Sequence, residues 1–357
     1  VEGDSLIHLH INRGKRSVVL DLTKPEGVQT YLELVARSDA VVEAMRPGAL
    51  ARRGLGFERL VEANPRIVFC AISGYGATGP YRDMPSHGIA YDVWAGLIRP
   101  EQDEEGLCYL PDGPSIGMHT GPLFGALGLL AAVVRARATG APCYLEVAQS
   151  DAAAAIDWYR IETCRAYERP ESEVTGNPSD DYRRRAPGMA GMREAVRYQL
   201  YRSSDGHILF QASEREFWEN FCRGVGRPDL FEANPGKRYA DHAAGNRELQ
   251  RQLQAIFERA SSEEWVRFGK EHDVPIIKLN SPQTIAEDPQ FRHRFPWLPK
   301  ERLGADEMPT PIKVVGEELP VPTRAPSVGQ HTLEVMRQVL GMDEQTLAER
   351  QKAGAFG

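Results

Sequence analysis

The sequence predicts an α/β protein, with a larger domain built on a doubly wound parallel sheet and a smaller α+β domain beside it. Three observations carry that reading. The first third alternates short β-branched runs with helical patterns. A stretch from Glu168 to Arg193, rich in Pro, Gly and charge, interrupts the rhythm. Beyond it, a hairpin signal is followed by three amphipathic helices.

Taken in order, "IHLHINRGKR" reads as a strand with His8 and His10 on one face, and "RSVVLDL" as a second strand. "KPEGVQTYLELVARS" is a helix: Pro25 suits its first turn, and Val28, Tyr31, Leu32 and Val35 share one face. "AVVEAM" and "RIVFCAIS" are short buried strands, each preceded by a helix, as a parallel sheet requires. After the loop "SGYGATGPYRDMP" come a helix around Ile89 to Leu97 and the apolar run Gly121 to Val134. That run contains four Gly or Pro positions and is too short to cross a bilayer, so it reads as a buried core helix ending near Arg137. "CYLEVAQ" is the next strand, and the α/β pattern holds to about residue 167.

The expected boundaries are 1–175 for the larger domain, 176–195 for a linker with a glycine-containing loop, 196–295 for the small domain, and 296–357 for a returning linker and C-terminal helix. In the small domain "VRYQLYRSSDGHILFQA" turns at Asp205 and Gly206. Helices follow at "EREFWENFCRGVG", "NRELQRQLQAIFER" and "SSEEWVRFGKEH", the last opened by a capping box of Ser261 with Glu264. "VPIIKL" adds a strand and "DPQF" a helix start. The amphipathic tail "GQHTLEVMRQVLG" packs back on the first domain.

Composition narrows the function. With 357 residues, 41% hydrophobic and 26% charged, the chain is globular rather than disordered. A formal charge of −7 offers no general attraction to nucleic acid, so an anionic ligand must meet a local cluster of Arg and Lys. No membrane segment is expected. Cys70, Cys108, Cys143, Cys164 and Cys222 are odd in number and never in CxxC spacing, which reads as reduced thiols in a cytoplasmic protein. The opening "VEGDSLIHLH" is not a signal peptide, and because it begins with Val, residues ahead of it are expected.

Several motifs compete for a functional role. In "AQSDAAAA", Ser150 is an N-cap and Asp151 an acidic first-turn residue that complements the helix dipole. The same Asp151 stands at a strand-to-helix corner flanked by small side chains, where α/β sheets gather ligands, and can serve as a nucleophile. "SGYGATGPY" brings Gly74, Gly76 and Gly79 into one loop around Tyr75 but is no nucleotide fingerprint. His8 and His10 lack a third ligand at zinc spacing, so no metal site is expected. Arg183, Arg184 and Arg185 are either solvated or meet an anion, and His87 is either structural or a general base. Tyr91, Trp94, Trp158 and Tyr159 either line a pocket or pack in the core.

Their order along the chain is more specific than any one of them. "NRGKRSVVLDLTKPEG", "VVEAMRPGALARRGLGFERLVEANPRIVFCAISGYGATGPY", "EVAQSDAAA", "HDVPIIKLNSPQTIAEDPQF" and "APSVGQHT" resemble, in this order and across almost the whole chain, the class III CoA transferases. Their relatives the alpha-methylacyl-CoA racemases share most of these motifs. The resemblance implies a Rossmann-like large domain, an interlocked homodimer, acyl-CoA and a carboxylic acid as substrates, and no tightly bound cofactor. It places Asp151, in a context similar to the family's "AMQDA", as the nucleophile of an aspartyl intermediate.

For CoA, the resemblance points to Lys15 and Arg16 (family "NKRS") and to Leu22 and Thr23 at the end of the following strand. It also points to Ala44, Met45 and Arg46 (family "ENFRPG") and to Arg52. Gly74, Tyr75 and Gly76 belong to the same set. Ala44 and Met45 replace Asn and Phe, so a polar contact and an aromatic face are missing from that turn. The family's glycine-rich loop corresponds to "APGMAGM", with Pro187, Gly188 and Gly191. Members of the family also carry an opening strand and helix ahead of the position of Val1.

A racemase alternative rests on His87, since "SHGIAY" resembles the racemase "GHDINY". The stretch Ser115 to Gly121, where that family has its acid, holds no carboxylate, and His119 is the conceivable stand-in. A third possibility is a CoA-binding protein without catalysis.

Overall fold

The computed structural model describes residues 3–168, 170, 173, 192–236 and 241–356. In chain order, α1 (Leu6–Asn12) and α2 (Pro25–Ala36) precede β1 (Ala40–Glu43), α3 (Phe57–Ala63) and β2 (Val68–Ser73). Next come α4 (Ala90–Trp94), the short strands β3 (Glu101–Gln102) and β4 (Cys108–Tyr109), α5 (Ile116–Thr139), β5 (Cys143–Ala148), α6 (Gln149–Ile156) and α7 (Trp158–Tyr167). They are followed by β6 (Tyr198–Arg202), β7 (His207–Gln211), α8 (Arg215–Gly224), α9 (Pro228–Ala233), α10 (Arg247–Phe257), α11 (Ser262–His272) and β8 (Ile276–Lys278). The chain closes with α12 (Pro282–Ile285), α13 (Pro289–Arg294), α14 (Lys300–Leu303), α15 (Thr332–Leu340) and α16 (Glu344–Lys352). It divides into two compact units, Val1–Asp157 with Phe295–Gly357, and Trp158–Arg294.

In the first unit β1, β2 and β5 form a parallel sheet in that order. Central β2 is apolar along its length because both of its faces are covered. Phe69 and Ala71 meet Leu32, Val35, Leu55 and Leu60 from α2, α3 and the loop between β1 and α3. Val68 faces the other way, against Ala132 and Ala136 of α5. Helices therefore cover both sides of the sheet, as the alternating pattern predicts.

Two predicted strands are not strands. "IHLHIN" is helical, because the Ser5 hydroxyl accepts the His8 N–H at 3.1 Å and caps α1. "SVVLDL" forms no strand and joins no sheet among the described residues. Its Ser17 and Val19 N–H groups go to His331 Nδ1 (3.1 Å) and Thr332 Oγ1 (3.0 Å), so side chains of the tail stand in for a ladder. Val18 and Leu20 pack there with Val335, Met336 and Leu347, and the tail does fold back on this unit.

α5 also departs from expectation. It spans 24 residues, long and apolar enough to cross a membrane by length and composition. It is not a buried core helix, since Leu123, Leu127, Leu130 and Val134 are each about two-thirds exposed. Its inner face is built of small residues. A Cβ at Gly117 would lie 2.8 Å from Tyr91 Cβ, one at Gly121 2.7 Å from Gln149 Cγ, and one at Gly125 3.0 Å from Ile72 Cδ1. The glycines thus let α5 approach α4, α6 and β2 closely.

The second unit holds the antiparallel sheet β6–β7–β8, with Tyr201 paired to Ile208 across the predicted turn. Its buried face packs on Trp218, Phe221 and Phe257. The capping box is present in full: Ser261 Oγ accepts the Glu264 N–H, and Glu264 returns a carboxylate oxygen to the Ser261 N–H.

Candidate functional site

The carboxyl ends of β1, β2 and β5 open toward one side of the first unit, and the loops that leave them line a cavity of about 350 Å³. That is the small end of the range for ligand pockets, roughly 300–1,000 Å³. From the turn after β1 come Ala44, Met45, Arg46 and, further on, Arg52; from the loop after β2 come Gly74, Tyr75 and Gly76. The structure thus gathers seven of the residues expected to contact CoA. Arg52 is braced by its Nη1 donating to the Pro47 carbonyl at 3.1 Å.

The loop after β2 is tied down in three places. Gly76, at φ +91°, donates its N–H to Ser73 Oγ at 3.0 Å. The Ala77 N–H goes to Glu146 Oε1 of β5 at 2.9 Å. The Gly74 carbonyl accepts the Ser150 N–H at 3.0 Å, which couples this loop to the first turn of α6.

Asp151 stands in that first turn, exposed, at the carboxyl end of β5. Ala152 and Ala153 behind it are buried, and the Ser150 hydroxyl donates to Asp151 Oδ1 at 3.2 Å. Ser150 is not the N-cap. The helix begins two residues earlier than that cap would set it, with Ala148 at the cap and no side-chain capping bond, and Ser150 is buried inside the first turn. The start of α6 therefore keeps backbone N–H groups that no cap side chain occupies.

Other expected residues lie apart from the cavity. Lys15 Nζ donates to Asn12 Oδ1 at 3.1 Å, and Arg16 reaches Gln338 Oε1 at 2.9 Å with Glu334 at 3.7 Å. The Thr23 hydroxyl and N–H both go to Asp21 Oδ1, while Leu22 packs on the α2–α3 core. His87 is exposed, one residue beyond the cavity wall at Ser86. Tyr91 is buried and lines the cavity, whereas Trp94, Trp158 and Tyr159 are about half exposed rather than packed in a core. Arg183, Arg184, Arg185, Pro187, Gly188 and Gly191 lie outside the described residues.

Sequence reasoning missed Arg82, Ser73, Ser86 and Gln149, all of which line the cavity. Only the "PYRDMP" loop carried a signal, a guanidinium close behind a glycine-rich turn. It also missed Asp92. This fully buried carboxylate accepts from the Ser115 hydroxyl at 2.8 Å and from the Gly117 N–H at 2.9 Å, and so caps α5 from another element. Next to the cavity residue Ala44, Glu43 at the end of β1 is 9% exposed, with Oε2 unpartnered among the described residues, and burial pushes its carboxyl above the usual range. Burial also raises the Tyr144 hydroxyl, helped by Glu146 and Glu43.

Known proteins resemble this chain in sequence and in fold. The sequence profile of CoA-transferase family III matches residues 1–332. The chain is 24% identical over 355 residues to the human succinyl-CoA:glutarate CoA-transferase, covering 98% of this chain and 77% of that one. It is 29% identical to the succinyl-CoA:mesaconate CoA-transferase of Haloarcula hispanica, covering 91% and 80%. A crystal structure of a CaiB/BaiF family protein from Brucella suis superposes with a TM-score of 0.72 at 22% identity, over 95% of this chain and 86% of that one, which shows the same mixed α/β fold. With a profile match over nearly its whole length, the chain belongs to CoA-transferase family III.

Proposed function

We propose that this protein moves CoA from an acyl-CoA thioester to a free carboxylic acid through a covalent intermediate on Asp151. One observation carries the reading. An exposed carboxylate stands on the first turn of α6, which is bonded to a loop of the arginine-lined cavity. Arg46, Arg52 and Arg82 supply the cationic side chains that phosphates of CoA require, in a chain whose overall charge repels anions.

The steps balance without ATP or an oxidant. Asp151 attacks the acyl carbon and the C–S bond breaks, leaving an acyl-aspartyl anhydride and CoA thiolate. The thiolate attacks the aspartyl carbonyl, releasing the donor acid and forming an aspartyl-CoA thioester. The acceptor carboxylate attacks that thioester and expels the thiolate again, giving a second anhydride. Thiolate attack on the acceptor's carbonyl then forms the new CoA ester and frees Asp151.

Dicarboxylic or short acyl groups are the first substrates to try, because relatives named for succinyl-CoA, glutarate and mesaconate align over most of the chain. A homodimer is part of the same reading. The exposed apolar row on α5 is surface of the kind a partner covers. Five free thiols fit a cytoplasmic setting. The racemase alternative is weaker: it relies on His119 as the acid opposite His87, and Asp92 of α4, the carboxylate that caps the start of α5, is fully buried with both oxygens engaged, so it is poorly placed to replace it.

The test is a panel of acyl-CoA esters incubated with the protein and hydroxylamine, followed by peptide mass mapping. Hydroxamate at Asp151, absent from Asp151→Ala, is the expected result. Exchange of the α-proton without any adduct at Asp151 would overturn the transferase reading.

A further inference from the structure

The cavity contains a hydroxyl pair that the chemistry of Asp151 has not yet used. Ser86 Oγ and Tyr91 Oη lie 3.1 Å apart, and both residues line the cavity. Tyr91 is 5% exposed. Its ring meets Tyr75 edge-on at 5.8 Å, and Gly117 of α5 is bare where a Cβ would come 2.8 Å from Tyr91 Cβ. Packing therefore holds the phenol in place.

Ser86 is exposed, and its hydroxyl fills the space over the Gly74 α-carbon. A Cβ at Gly74 would sit 2.2 Å from Ser86 Oγ and 2.9 Å from Tyr91 Cε1. The carbonyl of the same Gly74 accepts the Ser150 N–H, next to Asp151. The pair thus rests on the backbone segment to which the nucleophile's helix is bonded.

Two hydroxyls hold two protons, and their mutual hydrogen bond uses one. With Tyr91 donating to Ser86, the Ser86 proton is left to point into the cavity. The arginines suit oxygens that carry full charge throughout. A neutral, pre-oriented O–H suits a carbonyl oxygen on which charge develops only during attack.

We infer that Ser86 donates a hydrogen bond to the acyl carbonyl oxygen of the bound thioester as Asp151 attacks, and that Tyr91 is the positioning residue that orients Ser86. The proton stays on Ser86 throughout: the bond that forms joins the Asp151 oxygen to the acyl carbon, the bond that breaks is C–S, and CoA leaves as thiolate. This role rests on the transferase reading of Asp151.

The experiment uses the full chain with succinyl-CoA as donor and glutarate as acceptor. Ser86→Ala is expected to lower kcat about 100-fold, as loss of one such donor does elsewhere, while KM for succinyl-CoA and the thermal shift produced by free CoA stay unchanged. Tyr91→Phe is expected to cost about tenfold, and the double variant no more than Ser86→Ala alone, because one residue acts through the other. A structural role would instead change melting temperature and CoA binding together. If Ser86→Ala keeps kcat within twofold while the unsubstituted chain forms glutaryl-CoA, the inference falls and the transferase reading stands. Multiplicative losses in the double variant would overturn the role given to Tyr91. If the unsubstituted chain forms neither glutaryl-CoA nor a trapped adduct at Asp151, both readings fall together.

Discussion

Asp151 and Glu43 show how two carboxylates in one unit are set for different ends. Asp151 is exposed and, among the described residues, its side chain is held by Ser150 alone, so its replacement removes no buried contact there. Asp151→Asn is expected to leave the melting curve within about 0.5 kcal/mol of the parent while abolishing CoA transfer, as calorimetry and a transfer assay would check. Glu43 is the reverse case. Its folded-state pKa is raised by burial, so the stability it contributes is present below the ordinary glutamate range and lost as pH rises through the folded value. Glu43→Gln removes that loss. The variant is expected to be more stable than the parent at pH 8 by about 1 kcal/mol, the order of an unsatisfied buried polar group, and indistinguishable near pH 4. A pH series of urea melts in which the two proteins run parallel would contradict this. The place of Asp151 at a strand-to-helix corner was legible in its sequence context, whereas nothing in "VVEAM" marks Glu43 Oε2 as lacking a partner among the described residues, because partners come from other strands.

At the scale of elements, α5 shows spacing and propensity in competition. Glycines at 117, 121 and 125 cost helix stability, about 1 kcal/mol each against alanine. Overpacking, about 1–3 kcal/mol, opposes any such gain. With Tyr91 Cβ and the Gln149 carbonyl at 2.8 and 3.1 Å from the would-be Cβ, overpacking wins at position 117. Gly117→Ala is therefore expected to lower stability by about 1 kcal/mol net and to weaken transfer by moving α4 and α6 apart; a stabilised variant would count against the close approach. The apolar run of α5 was readable, but its exposure was not. A glycine stripe and a leucine stripe on opposite faces look alike to a search for apolar content. The first segment failed for a related reason. "IHLH" alternates like a strand, yet Ser5 caps a helix there, and the ladder expected of "SVVLDL" is replaced by His331 and Thr332, which lie more than 300 residues away.

At the scale of the molecule, the family reading carries an expectation about assembly. Light scattering is expected to return twice the 39.7 kDa of one chain. Leu127→Glu, placed in the exposed row of α5, is expected to shift that mass toward one chain with little change in secondary structure. A monomeric parent would remove the dimer from the proposal without touching the chemistry of Asp151. The first unit is itself closed by distant parts of the chain: α16 returns Arg350 to Thr30 and Glu33 of α2, the latter at 2.7 Å.

By itself the sequence determined that "RIVFCAIS" is a strand buried on both faces, where α2 and α11 begin, and which family the ordered motifs indicate, whereas "AVVEAM", expected to be buried as well, leaves Val42 half exposed. Those are properties of neighbouring residues, and periodicity and capping chemistry record them directly. Only the tertiary structure decided that Arg46, Arg52 and Arg82 share a cavity while Lys15 and Arg16 lie outside it, and that Ser86 meets Tyr91 over a bare Gly74. Such meetings depend on how strand ends and loops converge in space. Contacts of that kind leave no repeat in the chain from which they could be read.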